Sequence, residues 1–385
     1  MSGLMPGKHG MSGLMPGKDR MSAPGISGAR LARGAGRLAA AYAGALVLFG
    51  AFVLTKGANP LQVYSEMWRS TVLSTTSLGQ VMVKAAPLIL AGLAVAVPAR
   101  AGLVNVGGEG QVVMGTIGAA GAALALDGRL PGGVMIVVMV VAAMAAGALW
   151  AGIAAVLRLT VKINEAITTL LLNYVAIDLF LYLIYQPWKD RNGSGQPATR
   201  ELVAGARLPL LGTSRVHVGI VFALVATAVI WGLLRWTSWG FRLRVVGGNP
   251  EAARRAGLPV AGLLLSAMLV GGALAGLGGM VHFAGAEFKL RPGMTLNFGY
   301  IAFLAAWLAR HDPIKVAGAA LLLALIAIGG DSLQLDSGLP AAAVNVLMGL
   351  VLVAVMGRGQ FTRAGTSKPA PAPVAPVPAP AAVAS

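Results

Sequence analysis

The chain has 385 residues, of which 57% are hydrophobic and only 11% are charged. Soluble domains carry about a quarter of their residues as charged side chains, so this composition excludes an ordinary soluble protein and indicates an integral membrane protein. The net charge of +17 does not indicate nucleic-acid binding, because Lys and Arg lie at the ends of apolar runs rather than on one soluble face. Cysteine is absent and the four histidines are scattered, so we predict no catalytic residue and no metal site.

Composition divides the chain into three segments. Residues 1–36 contain MSGLMPGKHG and its near-copy MSGLMPGKDR, and their Gly, Pro and charge predict a disordered basic N-terminal segment. Residues 37–358 form the predicted transmembrane domain. Residues 359–385 are rich in Pro and Ala, which predicts a disordered, polyproline-like tail.

The apolar runs predict an all-α polytopic membrane helical bundle. A helix needs about 20 apolar residues to cross a bilayer. We predict about ten spans, near 38–55, 84–98, 111–127, 133–157, 166–185, 217–234, 260–280, 300–309, 314–328 and 341–356. The run at 300–309 is too short to cross alone, which predicts a broken helix or one that continues into the preceding loop.

Lys and Arg set the predicted orientation. Ten crossings place both termini on one side, and that side carries 19 Lys and Arg against 10 on the other. Cytoplasmic loops are the basic ones, so both termini are predicted to be cytoplasmic. The long loop 186–216 is then external and able to meet a partner outside.

Two polar stretches interrupt the apolar pattern. In GLVNVGGEGQ (102–111), Asn105, Glu109 and Gln111 lie among four glycines. Irregular backbone at such a place is tolerated only where it is buried in protein or lines a water-filled cavity.

The second stretch, 164–178, begins the fifth span. Glu165, Thr169 and Asn173 fall within an arc of about 80° and form a polar stripe on one helix face. Tyr174 and Asp178 form a pair on another face. Because a central Asp costs roughly 2.5–3.5 kcal/mol, we expect Asp178 to face the bundle interior or its rim.

We predict a translocation pathway from these residues together, namely Asn105, Glu109, Gln111, Asn164, Glu165, Thr169, Asn173, Tyr174 and Asp178. The alternatives are that the Asn and Thr side chains only join helices and that both Glu residues lie at the cytoplasmic boundary. The glycines of GGALAGLGG (271–279) predict close helix packing.

The basic loop 235–259 carries five arginines between two membrane-length runs. GGNP predicts a turn, and EAARRAGL predicts one short helix ended by glycine. This pattern indicates a docking surface. The phosphate-binding motif G-x-x-x-x-G-K-[ST] is absent, so we expect any ATPase to be a separate subunit that docks on this loop.

Four segments in order carry a family resemblance: 87–111, 163–176 (INEAITTLLLNYVA), 245–258 (VVGGNPEAARRAGL) and 299–314 (GYIAFLAAWLARHDPI). With the spans between them they cover about 80–358. The chain resembles permease subunits of ABC importers, and within these the nucleoside and simple-sugar permeases related to ribose and branched-chain amino acid permeases.

The resemblance implies three partners: an ABC ATPase inside, a second homologous or identical permease, and an extracytoplasmic solute-binding protein. It implies a multi-pass protein of the bacterial inner membrane, with ATP and Mg on the ATPase and no cofactor on this chain. The family's ATPase-facing motif maps onto Gly248, Asn249, Pro250, Glu251, Ala252, Ala253, Ala256 and Gly257. Asp178 stands where the family usually has an uncharged residue.

Two other functions stay open at this point. The solute could be a branched-chain amino acid instead of a nucleoside or sugar. Alternatively, the chain could work alone as a secondary transporter or channel, with Asp178 or Glu109 as the ion-coupling group.

Overall fold

The computed structural model describes residues 28–127, 129–193, 195–294, 297–336 and 342–361. It confirms the predicted all-α membrane bundle, and no β-strand occurs within those ranges. The helices are α1 (Gly28–Thr55), α2 (Pro60–Val72), α3 (Thr75–Arg100), α4 (Gly108–Ala125), α5 (Gly132–Thr160), α6 (Glu165–Tyr185), α7 (Gly219–Trp236), α8 (Ser238–Gly248), α9 (Pro250–Arg255), α10 (Val260–His282), α11 (Phe298–Leu308), α12 (Pro313–Asp336) and α13 (Ala342–Phe361).

Helices occupy all ten predicted spans. Six of them are long and apolar enough by themselves to cross a membrane: α3, α5, α6, α7, α12, and α10 with the π-turn Phe283–Glu287 that follows it. The other four spans are α1, α4 with its polar first turn, the 11-residue α11, and α13.

Two helix starts differ from the prediction. α1 begins at Gly28, so residues 28–36 are helical rather than disordered, and the remainder of the N-terminal segment lies outside the described residues. α3 begins at Thr75 rather than near 84, because the Ser74 hydroxyl accepts the amide of Ser77 and starts the helix in a polar stretch. The tail beyond Phe361 also lies outside the described residues.

α3 lies at the centre of the bundle, where it contacts α7, α10, α11 and α12. Its middle and last turns are almost entirely buried, from Ala85 to Pro98. α10 crosses next to it and also packs closely on α4 and α5. These four helices therefore form the framework that holds the shorter elements.

The glycines of α10 confirm the predicted close packing. A methyl group on Gly276 would overlap the carbonyl of Ala143 on α5, and one on Gly279 would overlap the carbonyl of Val112 on α4. Small residues let helix backbones approach in this way, which replaces the hydrophobic driving force that lipid does not supply.

Two contacts between connecting segments mark the two ends of the bundle. At one end, the Arg100 side chain donates to the His311 carbonyl, joining the end of α3 to the α11–α12 connection. At the other end, the long loop pairs with the segment after α10, with the Leu208 amide donating to the Ala284 carbonyl at 2.8 Å. We call the first the α8–α9 end and the second the long-loop end.

We predict that Gly276→Ala destabilises the bundle by about 1–3 kcal/mol, because the added methyl cannot fit against α5. Gly262→Ala on the same helix is the control, since nothing lies within 4 Å of the position its methyl would take. It should be neutral or stabilising by up to about 1 kcal/mol. The measurement is the melting temperature of each purified variant, which should be lower for Gly276→Ala than for Gly262→Ala. Equal melting temperatures contradict the packing argument.

Candidate functional site

The segment 101–107 between α3 and α4 folds back along α3 instead of staying at the surface. Gly102 makes the turn with a φ of +80°, a conformation that favours glycine. The Asn105 side chain then donates to the carbonyl of Ala94 at 3.1 Å. Ala94 lies six residues before the end of α3, about 9 Å along its axis. α4 therefore starts inside the bundle, where its backbone has no water to bind.

The polar stripe of α6 supplies the missing acceptors. Alternate residues of an extended segment are about 6.6 Å apart, and residues four apart on a helix are about 6 Å apart along its axis. Successive amides of the segment can therefore lie opposite successive side chains of the stripe. In order, Glu165, Thr169 and Asn173 accept from the amides of Val104, Val106 and Gly110 at 3.1, 3.2 and 2.8 Å. The stripe thus binds the backbone of the 101–107 segment and the first turn of α4.

Further contacts fix this arrangement. The Asn105 and Gln111 amides exchange hydrogen bonds at 3.0 Å in both directions. The second carboxylate oxygen of Glu165 pairs with Arg158 at 2.5 Å. Asn105, Gln111, Glu165, Thr169 and Asn173 therefore each have a hydrogen-bond partner inside the protein.

Glu109 likewise accepts hydrogen bonds from backbone amides, in this case those at the start of α11. It is completely buried, and its two carboxylate oxygens accept from the amides of Asn297 at 2.9 Å and Gly299 at 2.6 Å. These amides belong to the start of α11, where helix N–H groups have no partner within the helix and the helix dipole favours negative charge. Gly299 is needed because a side chain there would overlap the backbone of Glu109.

These positions bear on the predicted pathway. Six of its residues are buried and hydrogen-bonded within the chain: Asn105, Glu109, Gln111, Glu165, Thr169 and Asn173. Glu109 and Glu165 are thus both enclosed by protein. Asn164 caps α6 at the surface by accepting the Ala166 amide at 2.9 Å. Tyr174 and Asp178 are exposed on the outer face of α6, so Asp178 does not face the interior of this chain.

Sequence reasoning missed three members of this cluster. Arg158, in the last turn of α5, pairs with Glu165, and the Asn173 side-chain amide donates to the Tyr300 hydroxyl at 3.4 Å. Asn297 adopts a left-handed φ of +75° before α11. The sequence did contain one signal for a contact at the start of α11, namely the short 300–309 run. A helix too short to cross a membrane must start inside the protein, and its first amides need a hydrogen-bond acceptor there.

The basic loop forms two helices, where we predicted only one. The stretch SWGFRLRVVGG is itself helical (α8), and the predicted GGNP turn is reduced to Asn249 alone. The Thr237 hydroxyl begins α8 by accepting the Gly240 amide at 3.3 Å. Asn249 then caps α9, since its side chain accepts the amides of Glu251 and Ala252 at 3.1 and 3.0 Å.

α8 is fastened to the bundle. Its Trp239 indole donates to the Ser266 hydroxyl on α10 at 3.0 Å, and Leu243 and Val246 are buried. Gly247 lies against the end of α3, where a methyl group would overlap the Arg100 carbonyl. α8 therefore contacts the same turn from which the 101–107 segment starts.

α9 presents a small exposed surface. Ala253 is buried against the bundle, and the chain leaves the helix at Ala256 and Gly257, whose φ is +79°. Glu251 pairs with Arg254 and Arg255 at 2.9 and 3.3 Å within the helix. The exposed members of the predicted motif are Gly248, Asn249, Pro250, Glu251, Ala252, Ala256 and Gly257.

Comparison with known proteins identifies the class. Residues 77–356 match the family described as the branched-chain amino acid transport system / permease component, and the chain belongs to this family. It is a multi-pass membrane permease of the ABC transporter type, located in the cell membrane.

Three curated relatives cover most of the chain. It is 36% identical to the glucose ABC transporter permease protein TsgB13 of Haloferax volcanii, over 83% of this chain and 86% of that protein. It is 32% identical to the guanosine ABC transporter permease protein NupP of Bacillus subtilis, over 81% and 89%. It is 30% identical to the nucleoside ABC transporter permease protein NupB of Lactococcus lactis, over 79% and 86%.

We predict that Glu109→Gln lowers the free energy of unfolding by about 1–3 kcal/mol, because the amide nitrogen of Gln cannot accept one of the two α11 amides. Asp178→Asn makes the same chemical change at an exposed site and should alter stability by less than about 0.5 kcal/mol. Thermal unfolding in detergent separates the two. A melting temperature lowered equally by both variants contradicts the capping role of Glu109.

Proposed function

We propose that this chain is the permease subunit of an ATP-driven importer for a nucleoside or a simple sugar. The observation that carries the proposal is the α8–α9 unit: a capped, partly buried helix pair at one end of a bundle that has no phosphate-binding motif of its own. The solute class comes from the three relatives, which are named for glucose, guanosine and nucleosides.

In this proposal the α8–α9 end faces the cytoplasm and docks on a separate ABC ATPase that holds ATP and Mg. α9 acts as a rigid projection, since both of its ends are fixed by capping and its buried Ala253 seats it on the bundle. Closure of the ATPase moves α9, and α8 passes the movement to α3 and the 101–107 segment through the tight Gly247 contact.

The solute pathway is formed with a second permease subunit, identical or homologous. The buried stripe of α6 is occupied by backbone amides, so it positions α4 rather than binding solute. Tyr174 and Asp178, on the exposed face of the same helix, are free to face the passage between two subunits. A solute-binding protein outside delivers the cargo at the long-loop end.

The competing solute is a branched-chain amino acid, because the family's description names that class. The three relatives are named for glucose, guanosine and nucleosides, and these names favour a hydroxyl-rich solute over a zwitterionic one. A stand-alone transporter coupled through Asp178 is the other alternative, and it differs in needing no ATPase.

We predict that Ala252→Trp prevents association with the ATPase while the permease still folds and inserts. The substitution places a large side chain on the exposed face of α9 without disturbing the buried Ala253. Copurification of the tagged permease with its ATPase measures the effect, and we expect at least about a tenfold loss, equivalent to about 1.4 kcal/mol.

Ala204→Trp is the matched control, since Ala204 is also exposed but lies in the long loop at the opposite end. It should copurify with the ATPase as the wild type does. Normal copurification of the Ala252→Trp variant contradicts docking through α9, whatever the solute is.

Uptake by the reconstituted complex tests the solute. We expect labelled guanosine or glucose to accumulate in proteoliposomes that contain the permeases, the ATPase, ATP and the binding protein, and not when the ATPase is left out. Preferential uptake of leucine overturns the solute class. Flux through the permease chains alone overturns the ATP-driven mechanism.

A further inference from the structure

A small basic cavity lies at the α8–α9 end, between α7, α8 and the start of α12. Its volume is about 190 Å³, and the residues that line it include Arg100, Arg235 and Arg244, with Trp231 and Asp312. Three positive charges and one negative charge leave a net charge of +2 in a space too small for a drug-sized ligand.

Each guanidinium is held on one side only. Arg100 donates to the His311 carbonyl at 3.0 Å, and Arg244 donates to the Leu234 carbonyl at 3.1 Å. The Arg235 guanidinium lies over the Trp231 ring, 5.6 Å from its centroid. Neutral groups thus fix the three side chains, and the remaining N–H groups are left to bind something else.

In the part of the chain that the structure describes, no carboxylate forms an ion pair with these arginines. Across the described ranges, none of the three has an acidic oxygen within 4.0 Å, and the buried Nε of Arg100 has no hydrogen-bond partner. Asp312 is engaged at the start of α12, where it accepts the Lys315 amide at 3.2 Å. Burial, and then the charge of Arg100, lower the pKa of neighbouring His311, as expected beside an unneutralised cation.

We infer that this cavity binds a phosphate group, and that the group belongs to an anionic phospholipid. Arginine forks match phosphate oxygens in geometry and charge. The cavity lies where α7 ends its apolar run, and most of the surface of α7 is exposed. Trp231 lines it and Trp236, 72% exposed, contacts Trp231 edge to face, which is the typical position of tryptophan at headgroup level.

The bound headgroup ties α7 and α8 to the start of α12. Arg244 belongs to α8, so a lipid held here stabilises the position of the helix that carries α9. The inference needs only that this end of the bundle lies at a membrane surface, and it does not depend on the solute or on ATPase docking.

The test uses the full-length chain, purified in detergent and stripped of lipid, with native mass spectrometry and melting temperature as readouts. Phosphatidylglycerol should bind and raise the melting temperature, whereas phosphatidylcholine at the same concentration should bind more weakly. Arg235→Gln combined with Arg244→Gln should weaken phosphatidylglycerol binding by about fivefold for each arginine replaced.

Arg242→Gln is the matched control, because Arg242 lies on α8 two residues from Arg244 and does not line the cavity. It should bind phosphatidylglycerol as the wild type does. If the double Gln variant folds poorly, the Arg235→Lys, Arg244→Lys variant keeps the charge but loses the fork, and it should show an intermediate affinity.

The outcomes separate the sources of the phosphate. Competition by millimolar inorganic phosphate against phosphatidylglycerol supports an anion site that free phosphate also fills. Equal phosphatidylglycerol binding by the wild type and the double variant overturns the inference. Binding of neither ligand by the wild type also overturns it and leaves an acidic side chain of a partner protein as the counter-ion.

Discussion

The interior of this bundle depends on one interaction, the pair of hydrogen bonds that the Glu109 carboxylate accepts from the start of α11. α11 has only 11 residues and its first two, Phe298 and Gly299, are buried, so its first amides need acceptors within the protein. Glu109 accepts two of them, and a charged acceptor near a helix start gains from both the hydrogen bonds and the helix dipole. Without it, two amides at the start of α11 would lack their acceptors, at a cost of about 1–3 kcal/mol for each buried group left unpaired.

The same solution is used twice in succession. α4 also starts inside the bundle, and Asn173 of α6 accepts its Gly110 amide just as Glu109 accepts those of α11. α6 therefore holds α4, and α4 holds α11. Gly247 of α8 contacts the turn at which the 101–107 segment begins. The short helices and the surface loop are therefore joined by a continuous series of direct contacts.

The sequence reveals the spans well and their polar contacts only in part. Length and apolarity show where α5, α6 and α10 cross, and the four-residue spacing shows that Glu165, Thr169 and Asn173 share a face. Spacing cannot reveal what that face binds, because its partner is the backbone of a segment about 60 residues away in the sequence. Every residue other than proline has the same backbone amide, so the sequence does not mark which amides are bound. α8 was missed for a related reason: its glycines suggest a turn, but Gly247 packs tightly on the end of α3 and the helix continues to Gly248.

The hydrogen bonds already made within the buried polar cluster restrict where a solute can be recognised. A nucleoside or sugar needs free donors and acceptors, and those of Asn105, Gln111, Thr169 and Asn173 are already engaged within the chain. Tyr174 and Asp178 differ because α6 turns them outward, away from that cluster. An exposed carboxylate on an apolar helix is costly against lipid and much less so against a polar passage. The face of α6 that carries Asp178 is therefore better suited to a neighbouring subunit or to water than to the hydrocarbon of the bilayer.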